Sequence, residues 1–470
     1  MPDNVAQLVK QSFLRHLYDV DKQRAEQYKL YREYYDGDHP TRLTRKIRRN
    51  LELKAGETFR DNFCAIVVDA LANRLSVTGF DTGNDAQGET FMEWWELNRM
   101  DAEQGNIHTS AVRDGDVYAL VEWDYERNIP RISMELAFDG SDGVKMHYSD
   151  ERRGKVALAS KRWVITEPSD GAGSVRRINL YYPDRIEKYV SDDVTGTSDW
   201  QQYTDDDDNR WPIPWTRTGN EGGEPLGVSM LHFAYKSGGY NFGKSRMNDA
   251  IPLQNALNMA MIDLITTAVY EAFGILYMIG DEWGSISMTP GVILKSERPA
   301  SEVSIGRIAA GDLKQLIELK NDTIMDIARV TSTPLSYFQM SGHIASEGTL
   351  KQQESGLVAD AETTQVNFGN AWEDVMKMGR VLNNTFGSGP KLNEEQTIST
   401  QWKPAMVRDE TELVNRLAVM GDKLHVSDEV LWARAGLTED EIAMIQGSAQ
   451  YQSYRGMQDM AMLLNEDNRE

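Results

Sequence analysis

Apolar residues recur at helical spacing from the start of the chain. Val5, Leu8, Val9, Phe13 and Leu17 share one face, and Ala25, Tyr28, Tyr31 and Tyr35 continue it. Asp36-Gly37-Asp38-His39-Pro40 then stops the helix. A second helix is predicted from Phe59 to Leu75, where Phe63, Ile66, Val67, Ala70, Leu71 and Leu75 form one stripe. A third carries Phe91, Trp94 and Trp95, which read as core rather than as a stacking platform. The period changes after the turn Arg113-Asp114-Gly115-Asp116. Val117-Tyr118-Ala119-Leu120-Val121-Glu122-Trp123 opens a β-rich region that runs to about Val190. Strands are expected at 130–136, 144–148, 155–166 and 175–182, joined by hairpin-length Asp/Gly turns and therefore antiparallel.

After Trp211-Pro212-Ile213-Pro214-Trp215 the helical period returns. Leu253, Leu257, Ala260, Met261, Leu264 and Ala268 mark a long helix with few charges, apolar over most of its circumference. Strand-like pieces and the turn Thr289-Pro290-Gly291 occupy 272–310. Leu313, Leu316, Ile317, Ile324 and Ile327 mark another helix, ending near Thr331-Ser332-Thr333-Pro334. Beyond Ser341-Gly342-His343, a very long helix is expected from Glu347 to Leu382, on Leu357, Ala361, Phe368, Trp372 and Val375. The last part, with Lys403-Pro404 near its start, reads as smaller helices, and the Met-rich tail after Tyr454 is expected to fray. No internal repeat is visible. The fold class is α+β, mostly helical with one β-rich region.

Composition narrows the function. The formal net charge is −23, opposite to the basic face expected of a protein that grips phosphates. Acidity fits either solubility alone or a surface that DNA slides past without sticking. A basic cluster, Arg42, Arg45, Lys46, Arg48 and Arg49, stands against this trend as a solvated loop or a contact for DNA or an acidic neighbour. Asp205 to Asp208 read as a solvated loop rather than a cation site. Cys64 is the single cysteine, inside an apolar run, so an inert buried thiol is expected and an internal disulfide is excluded. There is no apparent secretory leader and no apolar run long enough to span a membrane, so synthesis in a reducing cytoplasm is expected. The histidines, among them His16, His39, His108 and His343, show no metal-ligand spacing. No catalytic set and no cofactor is expected.

One motif carries chemistry of its own. Gly238-Gly239-Tyr240-Asn241-Phe242-Gly243-Lys244-Ser245 satisfies the phosphate-loop pattern G-x-x-x-x-G-K-S. In such a loop backbone N–H groups cradle phosphates, the lysine reaches the outer ones and the hydroxyl holds Mg²⁺. An apolar segment precedes the motif, a helix follows, and Ile275 to Glu282 reads as an apolar strand ending in acid. Against this, an ATPase of that type needs a parallel sheet, whereas the strands here lie upstream and read as antiparallel. Pro252 also falls early in the following helix.

The same residues fit another pattern. Phe242 to Asn258, with Gly243, Ser245, Ile251-Pro252-Leu253-Gln254 and Asn258, resembles the segment that enters the first stem helix of the portal proteins of tailed bacteriophages of the siphovirus type. Tyr34-Tyr35-Asp36-Gly37-Asp38 resembles that family's tyrosine-rich helix end, and Asn62 to Leu75 its N-x-x-x-x-I-V-D helix. Ile327 to Pro334 resembles the end of its second stem helix, and Ser346-Glu347-Gly348-Thr349-Leu350 the start of its long helix. The landmarks occur in the family's order and cover about 30–385.

The resemblance implies a portal-like fold. Residues 1–235 would form a wing, 236–271 the first stem helix, 272–310 a small α/β clip and 311–331 the second stem helix. Residues 332–348 would form a tunnel loop, 349–385 the long wing helix, and 386–470 a helical C-terminal wing and crown. It implies a homo-oligomeric ring, typically a dodecamer, forming a channel at one capsid vertex of the virion for DNA packaging and ejection. Its partners would be double-stranded DNA, a terminase motor, head–tail connector or adaptor proteins, and major capsid and scaffolding proteins. ATP hydrolysis would belong to the motor. The channel candidates are Ser341, Gly342, His343 and Ser346 in the tunnel loop. Lys314, Lys320 and Lys351 are basic candidates for the channel wall or for solvated helix faces. The alternatives are a P-loop packaging ATPase or a capsid scaffold without a channel.

Overall fold

The computed structural model describes residues 10–17, 22–39, 61–149, 151–152, 154–166, 174–192, 199–204, 210–239, 241–273, 275–279, 299, 301–308, 313–338, 347–406, 410–424, 426–435, 439–448 and 451–453. The chain divides into two units, Met1–Ala405 and Met406–Glu470. In the larger unit a short helix spans 10–16. It is followed by α1 (Lys22–Tyr35), α2 (Phe63–Ala72), β1 (Val77–Asp81), α3 (Asp85–Leu97) and α4 (Met100–Asp114). The β-rich region comprises β2 (Asp116–Asp124), β3 (Ile129–Leu136), β4 (Gly143–Tyr148), β5 (Val156–Ile165), β6 (Val175–Tyr181), β7 (Arg185–Ser191), β8 (Gln201–Gln202), β9 (Ile213–Pro214) and β10 (Met230–Ala234). Then come α5 (Ala250–Phe273), β11 (Ile275–Ile279), β12 (Ser304–Ile308), α6 (Leu313–Val330), α7 (Glu347–Phe386) and β13 (Ser399–Trp402). The smaller unit contains α8 (Glu410–Leu424), α9 (Asp428–Ala435) and α10 (Glu439–Gly447). Trp432 of α9 packs edge-on against Tyr451 at 5.1 Å.

Every pair of described strands is antiparallel, which removes the parallel sheet that a P-loop ATPase requires. A three-stranded sheet has the order β10-β2-β3. Its central strand, β2, is buried on both faces, which explains the unbroken apolar run from Val117 to Val121. On one face α7 brings Phe368 and Trp372 against Phe233, at 5.9 and 4.9 Å between ring centroids. On the other face Tyr28 of α1 donates to Asp116 at 2.6 Å, and Tyr148 of β4 packs against His232. A second sheet runs β4-β5-β6-β7-β8, with β9 also on β7. The helix at 10–16 closes that sheet by burying Leu14 and Leu17 with Ile178, Leu180, Tyr189 and Trp200.

The helix ends have local causes. Asn62 caps α2, its Oδ1 accepting from Ala65 N at 3.4 Å, while its Nδ2 donates to Tyr35 O at 2.8 Å. Pro252 lies in the first turn of α5, where a missing N–H breaks no helical bond, so it starts the helix rather than interrupting it. α7 is 40 residues long, about 60 Å. Gly379 in its interior is a close-approach position: a Cβ there would lie 3.2 Å from both Trp94 and Pro130. Trp94 and Trp95 are buried, as expected of core residues. Cys64 is also buried, and burial pushes its thiol up to about 12. No helix among the described residues is long and apolar enough to cross a membrane.

His108 is fully buried between α4 and α7. Its Nδ1 is 3.1 Å from Leu75 O, and its Nε2 accepts from Trp372 Nε1 at 2.9 Å. Nε2 cannot take a proton without losing that bond, and burial lowers the imidazole to about 4. The sign follows from linkage. Between about pH 6.5 and 4 the unfolded histidine is protonated and the folded one is not, so stability falls on acidification through that window. The shift is worth about 3 kcal/mol at 1.36 kcal/mol per unit. His147, also held to about 4 by burial and Lys145, acts in the same window. Melting midpoints measured from pH 7 to 4.5 should drop steadily, and His108→Gln, although less stable, should show a shallower drop.

Candidate functional site

α5 and α6 form a helical hairpin, carrying at its tip the two-stranded ribbon β11–β12. Its root is the candidate site. There Ala250, Leu257, Ile324 and Ile327 pack with Phe63 and Val67 of α2. Buried polar pairs fix the same contact. Gln254 donates to Asp61 O at 2.6 Å and to Asn258 Oδ1 at 3.0 Å, and its Oε1 accepts from Phe63 N at 3.0 Å. Tyr34 OH donates to Asn255 at 2.7 Å, and Asn258 Nδ2 lies 3.0 Å from His39 Nδ1. The helical stripe of α5 is therefore interrupted by amides because those amides bolt it to α1 and α2.

Arg246, just before α5, organises the rest. Its side chain is only 2% exposed. Nε donates to Val67 O at 3.0 Å, Nη1 to Tyr235 OH at 3.1 Å and to Asp360 of α7. Nη2 donates to Thr331 O at 2.7 Å and to Thr333 Oγ1 at 3.5 Å. All five guanidinium donors are engaged. Asp360 also accepts from Tyr235 OH at 3.0 Å and pairs with Lys236 Nζ at 2.9 Å. Burial pushes the Tyr235 phenol up, although Arg246 pulls the other way. Burial alone would lower Lys236; Tyr235 and Asp360 overcome it and raise the ammonium. A second arginine, Arg74, holds Ala405 O at 2.7 Å, Tyr337 OH at 3.0 Å and Glu354 at 3.2 Å.

The phosphate-loop pattern sits at this root, with the backbone N–H groups of Gly243 and Lys244 and the Ser245 hydroxyl already spent. Gly243 N–H donates to Asp116 Oδ1 at 2.7 Å and Lys244 N–H to Tyr235 O at 2.8 Å. Ser245 is buried, and its hydroxyl donates to Arg113 O at 2.5 Å. Arg246 N–H donates to Val112 O at 3.0 Å. A cradle needs those N–H groups turned toward a ligand. Here they close the loop onto the α4–β2 corner, and Gly243 is required because a Cβ would press on Tyr235 O at 2.6 Å and on Gly115. Asp116 is buried; desolvation would raise it, but His232, at 2.8 Å, the Gly243 N–H and Tyr28 hold it below the usual carboxylate range. Tyr240 of the motif lies outside the described residues.

The other sequence candidates divide. Ser341, Gly342, His343 and Ser346 lie outside the described residues, as do Arg42 to Arg49, Asp205 to Asp208 and Thr289 to Gly291. Lys314 is exposed on α6, 3.9 Å from Glu318. Lys320 reaches back 3.7 Å to Asp61. Lys351 lies on the first turns of α7. Among the described residues no group of acidic, histidine and cysteine side chains could hold a metal. Sequence reasoning missed Arg246, Asp360 and Arg74. The available signal was Asp360 itself, a carboxylate one residue from Ala361 in the apolar row Leu357, Ala361, Thr364, Phe368.

The sequence landmarks converge on this root: Tyr34 and Tyr35, Asn62, Arg246 to Asn258, and Thr331 to Thr333. A family model described as phage portal protein, SPP1 Gp6-like, matches residues 14–455. The chain belongs to this phage portal protein family. Among relatives, the portal protein of Mycobacterium phage D29 is 22% identical over 326 residues, 67% of this chain and 63% of that protein. The portal protein of Mycobacterium phage L5 is 21% identical over 361 residues, 73% of this chain and 69% of its own length. The match thus spans less than two thirds of the D29 portal protein. In this portal-family chain, the Gly-Lys-Ser segment serves the hairpin root.

Proposed function

We propose that this protein is a portal subunit that assembles with copies of itself, in the dodecameric ring the resemblance implies, around a channel at one capsid vertex. The observation that carries the reading is the distribution of side chains around α6. One side packs on the root through Ile324 and Ile327. Met325, 36% exposed, falls on one flank, and Leu319 and Val330, 52% and 51% exposed, on the other, while Ile317, 46% exposed, continues the Ile324 row away from the root. The far side carries Glu318, Asp322, Asp326 and Arg329. A lone helix gains nothing from two exposed apolar flanks; a subunit with a neighbour on each side covers both by one repeated heterologous contact.

In a ring the charged side of α6 would face the lumen. An acidic wall disfavours adhesion of double-stranded DNA and lets it slide during packaging and ejection. Ser341, Gly342, His343 and Ser346 are the candidate tunnel loop, and Lys314 and Lys351 the candidate transient backbone contacts; Lys320, turned to Asp61 on the root side, reads as a solvated helix face. The ribbon β11–β12 at the hairpin tip is the candidate clip. A two-stranded ribbon is marginal alone, so it suits pairing with neighbours and docking of the terminase motor and head–tail connectors. The wing and the C-terminal unit would meet major capsid and scaffolding proteins, placing the chain in the virion after synthesis in the host cytoplasm. The test is Leu319→Asp with Val330→Asp. These exposed positions should leave the melting midpoint within a few degrees, while light scattering should report loss of the oligomer. An intact oligomer from that variant would sink the assignment of the flank.

A further inference from the structure

The sheet β10-β2-β3 treats its two edges differently. The β3 edge is blunted. Asn98 Oδ1 accepts from Ile132 N at 2.9 Å and Asn98 Nδ2 donates to Pro130 O at 2.9 Å, while Pro130 has no N–H to offer. The β10 edge has no such cover. Val121 N donates to Ser229 O and Tyr235 N to Gly115 O, which fixes the alternation along the pair. Leu231 and Phe233 therefore bond β2, while Met230, His232 and Ala234 turn their N–H and C=O groups away from it. Among the described residues none pairs with these outward groups.

A groove of about 540 Å³ runs past this edge and opens to solvent. It is lined by Leu231 and His232 of β10, Met146 and Tyr148 of β4, Val156 of β5 and Asp374 of α7. With β4 and β5 on one side and α7 on the other, it admits a single strand rather than the edge of a second sheet. Its floor is preformed: His232 Nε2 lies 2.8 Å from Asp116 Oδ1, and His232 Nδ1 lies 2.5 Å from Tyr148 OH. The Asp374 side chain is 57% exposed and pairs at 2.9 Å with Lys377 on the same helix. A surface pair of this kind is weak, so the carboxylate stays open to a competing cation.

We propose that β10 is a strand-addition site. An extended segment of a partner protein, apolar at alternate positions and carrying a lysine or arginine that meets Asp374, pairs along Met230–Ala234. The outward groups recur every second residue, about 7 Å apart, and supply the main-chain bonds. Met146, Val156 and Leu231 receive the apolar side chains. The cation follows from Asp374 and from the net charge of −23. A second copy of this chain offers no such segment among its described residues, because each described strand already lies in a sheet of its own.

The probe is a fluorescent peptide from a displayed library of random heptapeptides, selected on the purified full chain. Selected peptides should alternate apolar and polar residues and carry a cation. Bound peptide should slow amide hydrogen exchange at His232 and Ala234 by about ten-fold and leave Leu231 and Phe233, already bonded to β2, unchanged. Ala234→Pro removes one outward N–H and breaks no bond to β2. Its melting midpoint should stay within a few degrees of the native value, while peptide affinity falls about ten-fold. Asp374→Lys, at an exposed position, should weaken the same peptide and favour its version with glutamate in place of the cation. Failure to select any peptide, or peptides bound equally by the native chain and both variants, overturns the proposal. So does protection of these two amides in the protein alone as its concentration is raised, which would make the edge a contact between copies.

Discussion

Arg246→Ala should lower the stability of the larger unit by about 3–5 kcal/mol, the usual result of removing one partner of a buried ion pair. The loss has three sources. Asp360, 9% exposed, is left with Lys236 and Tyr235 beside it and loses its buried cationic partner. Val67 O and Thr331 O lose donors in a buried setting, and each unmet acceptor costs about 1–3 kcal/mol. Arg246→Lys keeps the charge but cannot reach four segments with one ammonium, so it should recover only part of the loss. Urea midpoints of native, Arg246→Ala and Arg246→Lys forms check the order. If the alanine variant is as stable as the native protein, the hub is not what holds the root together.

Trp372→Ala should cost about 3–5 kcal/mol, as large-to-small changes in a packed core do. Trp372 is fully buried, 4.8 Å from Trp95 and 4.9 Å from Phe233 between ring centroids. It joins α7 to α3 and to the three-stranded sheet, and its indole N–H satisfies His108. Trp372→Phe should retain most of the packing and lose chiefly that hydrogen bond. The phenylalanine variant should therefore fall between the native protein and the alanine variant. It should also ease protonation of His108, bringing its folded value closer to the unfolded one and so making the acid loss of stability smaller. Melting curves at pH 7 and pH 5 test both parts.

The strands were legible where pairing is local. The expected segments 130–136, 144–148, 155–166 and 175–182 correspond to Ile129–Leu136, Gly143–Tyr148, Val156–Ile165 and Val175–Tyr181. Asp/Gly turns punctuate them, and hairpins need only neighbours in sequence. The helices at Ala250, Leu313 and Glu347 were legible from long apolar stripes. The pairing of Val77–Asp81 with Ser399–Trp402 was not, because nothing local couples two short strands at opposite ends of a unit. The root hub was hidden for the same reason: Arg246 and Asp360 are 114 residues apart. The Gly-Lys-Ser run misdirects toward phosphate because glycine and serine also serve close packing. Here Gly243 and Ser245 lie against Gly115, Asp116 and Arg113. The tunnel-loop candidates lie outside the described residues, and although the family landmarks were legible one by one in sequence, only the fold brings Tyr34, Asn62, Arg246 and Thr331 to one root.

The proposed assembly is a ring built on the helical hairpin. It is tested most directly by imaging the purified protein in negative stain, with its mass measured in solution and no nucleotide added. Closed rings with a central hole are expected, with a mass that is a whole multiple of the subunit and unchanged by ATP. A monodisperse monomer across protein concentration and salt would contradict it.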